Sequence, residues 1–166
     1  MDTTLLNPKG AQEEFISPDR IRNWHNHRPF IVGGLIGIRA EAWDRIGGFT
    51  TSLRSAEDVD FSWRAHERGV SMGMAGDAVL HFRRPTRPWA NFLKARSYGR
   101  SSVWLYLEHR PRGQPRLSLK VDLHNLRLAL RDLVHRGPLW WWRVAYRLGL
   151  IEGRLEESLR RRVWYP

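Results

Sequence analysis

The sequence predicts an α/β domain that passes into a helical, basic C-terminal region, and three observations carry that prediction. An apolar run broken by glycines, FIVGGLIGI at residues 30–38, reads as a buried strand or strand–loop. Residues 57–68, EDVDFSWRAHER, have the length of a helix and are followed by Gly69 as its stop. Beyond Pro88, leucines, valines and aromatics recur at helical spacing in three successive segments.

Residues 1–29 are polar, with Pro8, Pro18 and Pro29, and read as an irregular N-terminal segment. After the glycine-broken run, AEAWDRI at 40–46 reads as a short helix, and Gly47-Gly48 allows the left-handed cap that ends it. A loop follows over 49–56. Ser55 is the expected N-cap of the next helix, with Asp58 three residues on. Residues 70–82 read as two short strand pieces turning near Gly76-Asp77, and Pro85 and Pro88 break the chain. Trp89, Phe92, Leu93, Arg96, Gly99, Val103 and Leu107 lie near one face of a helix. RPRGQPR at 110–116 is a linker. Leu119, Leu123, Leu126, Leu130, Leu133 and Val134 define a second amphipathic helix ended by Gly137-Pro138, and a third runs from the tryptophans at 140–142 to the arginines at 160–162. The expected division is 1–29 irregular, 30–109 the α/β unit, and 110–166 a basic amphipathic helical tail.

At 166 residues, with 42% hydrophobic and 27% charged side chains, the chain is long and apolar enough for one packed domain, which excludes wholesale disorder. The absence of cysteine excludes a disulfide scaffold, a Cys-ligated zinc site and a thiol nucleophile. Residues 1–85 carry 11 basic and 11 acidic side chains, so the whole formal excess of +11 lies in residues 86–166. Arginine supplies 25 of the 28 cations; its forked donors suit phosphate, and an arginine-rich codon bias would give the same count. The opening MDTTLLNPKG lacks the apolar stretch of a signal peptide, and no run reaches the ~18 apolar residues of a membrane span. The expected location is cytoplasmic, with peripheral placement on the inner membrane face.

The most informative series is Gly33-Gly34, Gly47-Gly48-Phe49, Glu57-Asp58-Val59-Asp60, Arg64, Gly69 and Asp77-Ala78-Val79-Leu80-His81. Its order and spacing resemble the C-terminal, acceptor-side half of family 2 glycosyltransferases of the GT-A fold. The GGF and ED-x-D elements are shared with the C-terminal segment of the galactosyltransferase family. The resemblance covers roughly residues 30–107, including Tyr98-Gly99 and Leu105-Tyr106. It implies a partial GT-A (nucleotide-diphospho-sugar transferase-like) domain without its N-terminal donor half.

An inverting sugar transfer needs a base for the acceptor hydroxyl. A carboxylate in the first turn of a helix is held rigidly, and the helix dipole stabilises negative charge there. The resemblance implies Asp58 as that base, Glu57 as an acceptor contact and Asp60 as a helix-side support or substrate contact. It implies His81 as a ligand of a divalent metal, Mn or Mg, on the donor diphosphate. Gly33 and Gly34 would let backbone approach a sugar closely, and Arg84 would meet the diphosphate. Each residue also has a plainer reading: first-turn acids stabilise helices, a strand-end histidine can merely hydrogen-bond, and Arg64 pairs with a carboxylate on its own helix.

Asp58-x-Asp60 matches the metal-binding DxD of such enzymes literally, but no apolar strand precedes it. The resemblance therefore implies a truncated enzyme, weak or inactive alone, with a partner chain as one source of the donor half. The implied partners are a nucleotide-sugar donor and a glycan or lipid-linked acceptor. The alternative is a basic membrane-associated or nucleic-acid-binding module without catalysis. Tryptophan and arginine interleaved over 140–162 suit an anionic membrane surface. Nucleic acid is disfavoured because no recognition motif accompanies the charge.

Overall fold

The computed structural model describes residues 22–23, 27–73, 75, 85, 87–134 and 140–165. Among these, helices dominate. Two antiparallel two-residue strands, β1 (Arg22–Asn23) and β2 (Pro29–Phe30), pair Arg22 with Phe30 and Asn23 with Pro29. They are the only strands among the described residues. The glycine-broken run leaves β2 at once for a 3-10 turn at Gly33–Leu35 and resumes extended backbone at Ile36. Of residues 30–38 only Phe30 is buried, so the run is strand–loop and not a core strand.

Helix α1 (Ala40–Ile46) ends where expected, with Gly47 at φ +84°. Helix α2 (Glu57–Glu67) is the centre of the fold despite its acidic first turn. Its buried side chains, Val59, Asp60, Phe61, Ser62, Trp63 and Ala65, surround it. One apolar cluster joins Val59 and Trp63 to Phe30, Ala56 and Leu105. The other joins Phe61 and Ala65 to Ile46, with Ile36, Ile38, Phe49, Val70 and Met72 packed against them. The phenylalanine of the GGF element belongs to this second cluster. Phe49 meets Trp43 and Phe61 edge-on at centroid distances of 5.0 and 5.1 Å.

Ser55 is not the N-cap of α2. Ala56 takes that place at φ +61°, without a side-chain cap. Ser55 Oγ turns instead to Ser97 Oγ at 2.9 Å and Ser101 Oγ at 2.8 Å. The serine is spent on tying the loop to the next helix, and the helix start is left to an alanine in the left-handed region. Of the strand pieces expected over 70–82, residues 70–73 and 75 form no regular structure. The remainder lies outside the described residues.

Helix α3 (Pro88–His109) leads through a 3-10 turn at Arg110–Arg112 to α4 (Leu119–Val134) and then α5 (Trp140–Arg160). All three match the expected segments. The inward face of α3 differs from the expected stripe: Asn91, Ala95, Gly99 and Val103 are buried, whereas Trp89 and Leu93 are exposed. Close approach to α5 explains the choice of small residues. A Cβ on Gly99 would run into the carbonyl of Leu150, one on Gly149 into that of Phe92, and one on Gly153 into that of Arg96. Along one side Arg96 pairs with Glu152 (2.5 Å) and Glu156 (2.7 Å), and Arg100 with Glu156. Near the start of α5, Asn91 Nδ2 donates to the carbonyl of Trp142 and Trp142 Nε1 to that of Pro85. So α5, from the 110–166 segment, packs along α3, from the 30–109 segment. Tyr165 is fully buried and stacks on Tyr106 at 4.5 Å.

Candidate functional site

The first turn of α2 gathers three of the sequence-predicted residues. Segment 31–33 runs beside it: Ile31 N–H donates to Ser62 Oγ at 3.0 Å, and Ser62 Oγ donates to the carbonyl of Asp58 at 2.6 Å. Two residues on, Gly33 N–H donates to Asp58 Oδ2 at 2.7 Å, while Oδ1 accepts from Val59 N–H at 2.8 Å. A Cβ on Gly33 would lie 3.0 Å from the Asp58 Cβ. The close approach that requires glycine there is thus to the aspartate side chain. Asp58 and Glu57 are half-buried. Each Asp58 oxygen spends one acceptor site on an amide, and a carboxylate offers about four. The group is fixed in orientation and keeps capacity for a hydroxyl. Gly34 is exposed, one residue beyond this contact.

Tyr98, on α3, lies within electrostatic reach of the same turn. Its hydroxyl is pushed up to about 12, chiefly by burial, then by Tyr146 and by the negative charges of Asp58 and Glu57. Ser97 and Ser101 hold Ser55, three residues before Asp58. Sequence reasoning noted Tyr98 only within the Tyr98-Gly99 pair and missed the serines. Their four-residue spacing was the signal available, but nothing local showed that it faced this loop.

Asp60 sits on the opposite side of α2 and is 1% exposed. It accepts from Thr50 Oγ1 (2.6 Å), Arg64 Nε (2.9 Å) and, in its contact with His109 Nε2, a 2.9 Å hydrogen bond. Burial opposes its charge, but these three partners prevail and hold its carboxyl below the ordinary carboxylate range. With its oxygens so engaged and its side chain buried, it presents no surface for a substrate. Arg64 pairs with Asp60 as expected and also donates to the carbonyls of Ile46 and Gly48, satisfying the end of α1. His109, which no sequence motif singles out, is fully buried, with its ring edge-on to Trp63 at 4.9 Å. Its Nδ1 lies 3.6 Å from Glu67 Oε1. His27 meets the same indole at 4.8 Å, and burial, with the Arg28 and His109 charges, lowers its pKa from the ordinary 6.5.

His81 and Arg84 lie outside the described residues. Among the described residues no three His, Asp or Glu side chains stand together as a metal site. No helix among the described residues is long and apolar enough to cross a membrane. No protein-family model, curated protein or solved structure matches the chain.

Proposed function

We propose that the chain is the acceptor-side half of an inverting glycosyltransferase, with Asp58 as general base. The observation that carries this reading is the Asp58 carboxylate, held by Gly33 N–H and Val59 N–H at the half-exposed first turn of α2 with Glu57 beside it. The left-handed Ala56 immediately before them adds support. A non-glycine residue at φ +61° costs on the order of 1–3 kcal/mol, and such strain clusters at functional sites.

The acceptor hydroxyl docks against Glu57 and Asp58. Its oxygen attacks the anomeric carbon of the donor as the bond to the diphosphate breaks. The hydroxyl proton passes to Asp58, and the electron pair leaves with the nucleoside diphosphate. Tyr98, neutral at physiological pH and within electrostatic reach of both carboxylates, serves as a hydrogen-bonding and stacking partner for the acceptor ring. A divalent metal bound with His81 would neutralise charge on the diphosphate. Donor recognition belongs to another segment or chain.

Two measurements test the reading. In the reconstituted enzyme, Asp58→Asn lowers transfer by about 100- to 10,000-fold, the usual worth of a positioned base; undiminished transfer removes Asp58 from that role. Calorimetric titration of this chain alone with UDP- and GDP-sugars and Mn²⁺ gives no tight binding. Tight binding would place donor recognition within these residues.

A further inference from the structure

We propose that residues 27–33 form an acid-released strap: protonation of His27 lifts the segment from α2 and withdraws the Gly33 amide from the Asp58 carboxylate. The segment runs along α2 from its C-terminal end to its first turn. His27 stands edge-on to the Trp63 indole at 4.8 Å, and Trp63 Nε1 donates to the carbonyl of Arg28 at 3.2 Å. Arg28 pairs with Glu67 at 2.7 Å and donates to the carbonyl of Arg112 at 3.3 Å. Further along, Ile31 N–H meets Ser62 and Gly33 N–H meets Asp58. Phe30 is the one buried side chain of the seven. With so few anchors, release of the strap is a local event that costs less than global unfolding.

His27 is where acid acts on this segment. Its Nε2 is buried and, among the described residues, has no hydrogen-bond partner. A neutral imidazole has one N–H and can leave Nε2 bare, whereas an imidazolium carries a donor on both nitrogens. Arg28 adjoins the ring on the strap, His66 and Glu67 face it from α2, and His109 faces it from α3. Glu67, the carboxylate of this set, already meets Arg28 at 2.7 Å, Arg112 at 3.3 Å and His109 Nδ1 at 3.6 Å. Asp60 is taken by Thr50, Arg64 and His109. A proton on His27 therefore sets a buried donor beside Arg28 with both nearby carboxylates engaged. Burial first, then the Arg28 and His109 charges, lower the pKa of His27 from the ordinary 6.5, and release of the strap into water restores it. The hold of the strap is complete above 6.5 and weakens as pH falls from there through the lowered value. The release stands without any transferase activity, whereas its effect on turnover rests on Asp58 as the base.

The test is amide hydrogen exchange of the full chain, read residue by residue by NMR and corrected for the intrinsic rate at each pH. Protection of Ile31 and Gly33 falls about threefold or more from about pH 7.5 to about pH 5.5, whereas that of Val103, within α3, stays level. His27→Gln removes the fall, and His66→Gln, at the exposed neighbour on α2, keeps it. The His27 ring resonances of the parent titrate below 6.5. The strap is overturned if protection of Ile31 and Gly33 does not change with pH, if His27→Gln loses it as the parent does, or if the His27 ring titrates at 6.5 or above. In the reconstituted enzyme, transfer on acidification falls about twofold or more further in the parent than in His27→Gln. Amides that open in acid while parent and variant lose transfer equally would leave the strap standing and remove Asp58 as the base.

Discussion

The neighbouring acids of α2 have opposite duties because alternate positions on one turn face different neighbours. Asp58 faces the loop at Gly33 and remains half-exposed, whereas Asp60 faces inward between Arg64 and His109. Asp60→Asn leaves the partly buried Arg64 guanidinium without its counter-charge and disturbs the hydrogen bond to the buried His109. It should cost about 3–5 kcal/mol in urea denaturation, the price of breaking one side of a buried ion pair. A cost near that of an ordinary surface exchange would mean that the network adds nothing. Asp58→Asn, by contrast, should leave the denaturation midpoint within about 1 kcal/mol, because the side chain is half-buried and the amide oxygen of asparagine still accepts a hydrogen bond from a backbone N–H. That contrast was partly legible: adjacent carboxylates at a helix start are visible in sequence, and so was the pairing of Arg64 with a carboxylate four residues away. Which acid faces inward was not, because it depends on His109, 49 residues further along.

Element boundaries were largely legible because they depend on local chemistry. Glycines closed α1 and α2, and prolines and leucine spacing framed α3, α4 and α5. What local pattern misjudged was which face of α3 is covered. Size, not hydrophobicity, selected it, since α5 approaches so closely that glycine backbones meet. Gly153→Ala puts a methyl into the carbonyl of Arg96 and should cost about 3 kcal/mol, the upper end of overpacking. For a chain of this size that lowers Tm by roughly 6–12 °C. Gly37→Ala, with no atom within 4 Å of the added methyl, is the control and should stay within about 0.5 kcal/mol. Equal effects of the two exchanges would show that the helices separate freely.

At the scale of the whole molecule, a half-buried histidine and a buried aspartate shape the response to acid. The folded chain resists protonating His27 near 6.5, where the unfolded chain accepts a proton, so this contribution is complete above 6.5 and drains as pH falls below it. Asp60 acts lower: its contribution is complete above 3.8 and is lost as pH falls through its depressed folded value. Urea midpoints should therefore fall in two stages on acidification. His27→Gln should flatten the first, and a midpoint that rises between pH 7 and 5 would contradict the assignment. The charge asymmetry between the two halves was legible from the order of residues alone. The small share of strand was not, because a glycine-broken apolar run suits a 3-10 turn as well as a sheet.

The glycine contact between α3 and α5 also has a mechanical consequence. With backbone against backbone there is no side chain left to act as a cushion, so the pair behaves as a stiff beam. Ser97 and Ser101 fasten that beam to Ser55, one step from the strained alanine that starts α2. A displacement of α5 is thus passed to the loop before the two carboxylates with little compliance to absorb it.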